Sequence, residues 1–131
     1  MQTLQHMRTL QQKFANAVYW RIQDVKKSYP DEKKQKEYGA LALKLPVLVR
    51  QAGLIQALAF VAARQRDPHK QRILDDLARV IGLNSGDKLL QRAREAHLSE
   101  YMLLTQQVLW ALEWFKRFAQ SELKVEPGEG E

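Results

Sequence analysis

Leu4, Met7, Leu10, Phe14, Val18, Ile22, Val25 and Tyr29 recur every three or four residues, a spacing that lines one face of an α-helix and fits no strand. The pattern predicts a long amphipathic helix running to about Ser28. Near the other end, Tyr101, Leu104, Val108, Leu112, Phe115 and Ala119 form a second apolar stripe. Trp110, Trp114 and Phe118 make a ridge beside it, so a final helix from near His97 to roughly Leu123 carries apolar side chains around more than half its circumference. That width fits a central helix wrapped by the others, and it also fits a helix with one ridge left out as a docking face for another subunit. Strand signals are almost missing, because β-branched residues are sparse and no hairpin dipeptide separates alternating runs. The expected fold is all-α: a compact single-domain bundle of about six to seven helices, with long N-terminal and C-terminal helices packed on each other.

Between the two long helices the punctuation is specific. Pro30 with Asp31 and Glu32 restarts a helix, since proline suits the first turn and acids favour the positive helix end. In the stretch Glu37 to Arg64, EYGALALKLPVLVRQAGLIQALAFVAAR, Pro46 suits the first position of a new helix and Gly53 the left-handed end of one. Three short helices are expected there. Asp67-Pro68 reads as the start of a helix to Ile81 that Gly82 closes, and Asn84-Ser85-Gly86-Asp87 as a turn that caps a short helix through about Ala96. Residues 1–124 form the helical domain. Val125 to Glu131 (VEPGEGE) is a polar tail expected to fray.

A chain of 131 residues is one domain by length and buries enough surface for a core without staples. It has no cysteine, which excludes disulfides and thiolate metal sites and suits a reducing cytoplasm. The N-terminal MQTLQHMRTLQQKF lacks a signal peptide's apolar core, and no apolar run approaches the length needed to cross a bilayer. A soluble cytoplasmic protein with no membrane partner is expected. The net charge of +6 is unevenly spread: residues 1–97 hold 18 Lys/Arg against 9 Asp/Glu, residues 98–131 hold 3 against 6. A basic body of this kind permits polyanion binding without requiring it.

Residues for chemistry are scarce. His6, His69 and His97 lie far apart and form no HExxH or HxxxH pair. Asp75-Asp76 is an adjacent acidic pair that reads as a solvated face. His97 with Glu95 and Glu100 lacks further ligands to close a metal site. Ser28, Ser85, Ser99 and Ser121 have no nucleophile elbow, and no phosphate-binding glycine loop occurs. The expectation is a non-enzymatic protein with no metal and no cofactor. Basic residues are the alternative. Lys33, Lys34 and Lys36 are diluted by Asp31, Glu32 and Glu37 and read as a solvated face. Arg64, Arg66, Lys70 and Arg72 crowd the Asp67-Pro68 turn, where they can follow a phosphate backbone or simply face solvent. Lys116 and Arg117 lie beside the apolar ridge, which favours interface or snorkelling over nucleic acid.

The central segment resembles the small subunit of type III-B CRISPR–Cas RNA-targeting assemblies, the Cmr complex. The resemblance rests on Tyr38-Gly39, Lys44-Leu45-Pro46, Gly53-Leu54, Gln56, Ala59 and Phe60, and on a closing Trp114-x-Lys116-Arg117-Phe118-Ala119. It implies a non-catalytic antiviral subunit, present in several copies that stack weakly head to tail. Its partners would be the backbone RAMP subunits, the large subunit, and the guide RNA and target RNA whose duplex it helps to hold. Base pairing would carry sequence recognition, leaving shape and phosphates to the protein. The resemblance adds Lys44 and Arg50 to the candidate RNA contacts, although Lys44 also suits capping of helix-end carbonyls. Two other readings stay open: the equivalent subunit of a type III-A complex, and a protein–protein adaptor that docks through Trp110, Trp114 and Phe118. A helix-turn-helix DNA reader fits less well, since no helix carries Arg, Asn and Gln at base-reading spacing.

Overall fold

Thr9 sets where the first helix begins. Gln12 N donates to its hydroxyl over 3.0 Å and Thr9 N donates back to Gln12 Oε1 over 2.8 Å, a reciprocal capping box. In the computed structural model, which describes residues 7–127, this cap opens α1 (Leu10–Ser28). Phe14, Val18, Ile22 and Val25 of the predicted stripe are buried, whereas Met7 and Leu10, ahead of or at the cap, are exposed. Leu4 and His6 lie outside the described residues.

Asp31 caps the next helix by accepting from Lys33 N at 2.9 Å. That helix, α2 (Glu32–Ala52), runs straight through Pro46, so the expected break there does not occur. A proline inside a helix removes one ladder bond and costs about 3 kcal/mol in isolation. Here Pro46 is buried with Leu45 and Val49, and the packing of that face outweighs the local loss. Gly53 does make the predicted turn. Its φ of +91° is open to glycine, its N–H closes α2 on Val49 O, and its carbonyl accepts from Ala57 N to open α3 (Leu54–Ala62). One free donor at the start of α3, Ile55 N, finds the Tyr101 hydroxyl at 3.1 Å.

The single helix expected over 68–81 is two, α4 (Pro68–Gln71) and α5 (Ile73–Val80). At Arg72 the backbone tightens (φ −58°, ψ −18°) toward a 3₁₀ geometry that ends one turn before the next starts. Asp67 serves this start through its carbonyl, which accepts from Lys70 N and Gln71 N, and not through its side chain. Ser85 caps α6 (Gly86–Glu95) as expected, accepting from Lys88 N at 3.3 Å, and α7 (Leu98–Glu122) completes seven helices among the described residues, none of which is in a strand.

α7 lies between α1 and α2. It runs parallel to α1, with Tyr19 beside Phe118 and Gln23 bonded to Glu122, and antiparallel to α2, with Arg50 at Glu113 and Gly39 against Ala119. The predicted pairing of the first and last helices forms, and α2 packs on α7 as extensively. α3, α5 and α6 pack on one another, and α5 also lies against α1. Past α7, Lys124 turns left-handed (φ +58°) and Val125 N donates to Ala119 O. Val125, expected to fray with the polar tail, is instead buried against Gly39, where any added Cβ would overlap it. Residues 128–131 of that tail lie outside the described residues.

Candidate nucleic-acid interface

The turn at Gly53 folds α3 back on α2, and the chain then returns to the same edge through α4. Glu37, Ala40, Leu41 and Lys44 of α2 thereby line a cleft of about 120 Å³ with Phe60, Arg64 and Lys70. Glu37 and Lys44 are seven residues apart, two helical turns, and so share a face. The Arg64 guanidinium carbon lies 3.6 Å from the centroid of the Phe60 ring, and Arg64 Nη1 donates to Phe60 O over 2.7 Å. Stacking and hydrogen bond together hold the planar fork in place and leave its other N–H groups for a ligand. Lys44 Nζ is 5.2 Å from the same centroid. Lys70 Nζ lies 3.5 Å from one Glu37 carboxylate oxygen, and His69 Nε2 lies 3.1 Å from the other. His69 is buried, edge-on to Tyr29 at 5.9 Å.

The six sequence-predicted RNA residues do not come together as one patch. Lys44, Arg64 and Lys70 share the cleft. Arg66 is exposed on the turn before α4 and makes no ion pair with any described residue. Arg50 points the other way along α2 and pairs with Glu113 of α7 at 3.0 Å. Arg72 is enclosed. Its Nε donates to Asp76 Oδ2 at 2.9 Å, and its Nη2 donates to Asp76 Oδ1 at 3.0 Å and Asp24 Oδ2 at 2.9 Å. The Tyr38 hydroxyl donates to Asp76 Oδ2 at 2.7 Å, and Arg21 stands 3.6 Å from the same carboxylate. Burial disfavours charge on Arg72, but the hydrogen bonds it donates to Asp76 and Asp24, with the Asp76 charge, still raise its pKa above the ordinary value. The hydrogen bond from Arg72 holds Asp24 below the usual carboxylate range. Burial, with the Asp76 charge beside it, pushes the Tyr38 phenol well above its usual value.

The reading of Asp75-Asp76 as a solvated pair is therefore overturned at Asp76, while Asp75 is exposed as expected. Asp76 is 2% exposed at the centre of this network, and Asp75 accepts from Gly86 N at 2.6 Å. A signal was present in the spacing: Asp76 falls three residues after Ile73 and four before Val80, on the face those two bury.

The Trp ridge is half out of the core. Trp110 is 44% exposed, and Trp114 and Phe118 stack with centroids 5.8 Å apart, with Tyr19 edge-on to Phe118. Leu10, Phe14, Trp110 and Trp114 line a groove of about 460 Å³ between α1 and α7, with Glu113 and Arg117 among its rim residues. The Arg117 guanidinium lies 5.9 Å from the Trp114 ring, the snorkelling expected of it. Among the described residues, no three His, Cys, Asp or Glu side chains are placed to hold a metal ion, and no helix is long and apolar enough to cross a membrane.

The sequence profile of the family described as CRISPR-associated protein (Cas_Cmr5) matches residues 10–122. The CRISPR system Cmr subunit Cmr5 of Thermus thermophilus is 49% identical over 115 residues, which span 88% of this chain and 96% of that protein. The crystal structure of a Cmr5 family protein from the same organism superimposes with a TM-score of 0.78 at 49% identity, covering 88% of this chain and 97% of the other.

Proposed function

The chain belongs to the Cmr5 family of CRISPR-associated proteins, and from that premise we propose that it is a non-catalytic small subunit of a cytoplasmic Cmr-type complex. In that role it binds the phosphates of the guide RNA–target RNA duplex and leaves cleavage to other subunits. The observation that carries the RNA contact is the cleft in which Phe60 pins Arg64, with Lys44 and Lys70 around it and Arg66 on the adjoining turn. Arg50 and Arg72 drop out of this reading, because neither lines the cleft: Arg50 pairs with Glu113 of α7, and Arg72 is enclosed by Asp76 and Asp24. The Trp110–Trp114–Phe118 face and its groove are the surface offered to neighbouring subunits, including further copies stacked head to tail. One copy makes few phosphate contacts, so binding becomes useful only when several copies act together.

The test is target-RNA binding by the assembled complex with Lys44, Arg64, Arg66 and Lys70 changed to Ala in every copy, across a salt series. Each lost phosphate contact lowers the salt slope by about 0.7–0.9 and weakens binding alike for all RNA sequences. Unchanged affinity and slope would leave the subunit a purely architectural role, and the adaptor reading would replace this one.

A further inference from the structure

Glu37 is out of place in a cleft meant for phosphate. It sits among Lys44, Arg64 and Lys70 with its carboxylate 3.5 Å from Lys70 and 3.1 Å from buried His69. Its side chain is only 22% exposed, so its charge is not lost to bulk solvent. Among the described residues the two cations nearest Phe60 have no such partner: Arg64 bonds a neutral carbonyl, and Lys44 is exposed above the ring. Phe60 itself is not free to stack a base, because the Arg64 guanidinium already covers it at 3.6 Å. The cleft thus divides into an armed half, Lys44 and Arg64, and a half whose cation is held by an internal anion.

We infer that the Glu37 carboxylate competes with an RNA phosphate for Lys70, and so tunes down the affinity of each copy for RNA backbone. The inference rests on the RNA-contact reading above. It assigns the ligand as a single backbone phosphate, met without base discrimination, and names the residue that sets how tightly it is held. When a phosphate enters, Lys70 exchanges a carboxylate for it, so the net gain from Lys70 is small. Weak single-copy binding follows from the chain's own composition and not only from the small number of contacts.

The experiment uses the isolated full-length chain and a fluorescently labelled RNA duplex of about 20 base pairs, titrated across a KCl series that begins near 50 mM. Glu37→Gln keeps a polar partner for His69 and removes the charge. It is expected to bind the duplex about three- to tenfold tighter at low salt, with a salt slope steeper by up to about 0.9. Lys70→Ala is expected to cost under about twofold in the wild-type background and clearly more in the Glu37→Gln background, a coupling that a structural role for Glu37 would not produce. Arg64→Ala is the reference and weakens binding in both. If Arg64→Ala weakens binding while Glu37→Gln does not tighten it, the competition is overturned and the RNA reading stands. Equal costs of Lys70→Ala in the two backgrounds overturn it as well. If Arg64→Ala changes nothing, the RNA reading itself falls. Lys70→Ala in the wild-type background needs no change at Glu37, so a poorly folded Glu37→Gln still leaves a decisive result: a loss as large as that of Arg64→Ala would show that Glu37 does not restrain Lys70.

Discussion

Arg64 and Arg72 stand eight residues apart on either side of the chain's midpoint, and each lies over an aromatic ring. Arg64 is 3.6 Å from the Phe60 centroid and, among the described residues, bonds only a carbonyl, so its charge remains open to a ligand. Arg72 is 6.0 Å from Tyr29, with three bonds to two carboxylates and a side chain 17% exposed. One arginine is positioned by an apolar ring that takes nothing from its charge. The other is positioned by acids that neutralise it. A run of basic residues is therefore not a binding site until its counter-charges are located, and here they come from α1, α2 and α5.

The contrast breaks hardest at Asp76. Asp76→Ala leaves Arg72 with Asp24 as its one remaining carboxylate and the buried Tyr38 hydroxyl without an acceptor, for an expected loss of about 3–5 kcal/mol in urea denaturation. A loss under about 1 kcal/mol would mean that Arg72 is as free as Arg64. Next in size is a crossover between the two arginines. Arg72→Ala should destabilise by about 2–3 kcal/mol, less than the loss at Asp76 because Arg21 remains 3.6 Å from the carboxylate. Arg64→Ala should shift stability by about 0.5 kcal/mol or less while weakening RNA binding. If the two variants failed in the same assay, the division would be wrong.

Alkaline pH sharpens the same point. The buried Tyr38 phenol has its pKa raised, so folded and unfolded chains both keep the proton below about pH 10. Above that the unfolded chain ionises first, and stability falls by up to about 1.4 kcal/mol per pH unit until the folded phenol titrates. Tyr38→Phe should flatten that decline in denaturation curves collected above pH 10; an equally steep decline would remove Tyr38 from the network. The smallest effect belongs to Arg50→Ala. It breaks an exposed pair with Glu113, worth about 0.2–1 kcal/mol by thermal melting, and should leave RNA affinity unchanged.

Much of the fold was legible. The stripe Phe14–Val18–Ile22–Val25, the turn at Gly53, the Ser85 cap and the double ridge of α7 are patterns of neighbouring residues, and local patterns survive into the structure. Pro46 misleads because its cost is local while the packing of Leu45, Pro46 and Val49 that overrides it is not. The site was legible as a set of positive charges and no further. Asp76 meets Tyr38 across 38 residues and Arg72 meets Asp24 across 48, separations no sequence window spans. For the same reason Glu37 reads in the sequence as mere dilution of a lysine run, although it faces Lys70 from another helix.

Gln23 of α1 bonds Glu122 of α7 across 99 residues, and that distance along the chain is also a delay in time. α1 leaves the ribosome first and waits roughly 5–20 s, at ordinary synthesis rates, for the helix it lies against. During that interval the faces of α1 and α2 that α7 covers stay open, which makes the nascent chain a natural client for holding chaperones. A copy cut short within α7 leaves those faces of α1 and α2 uncovered.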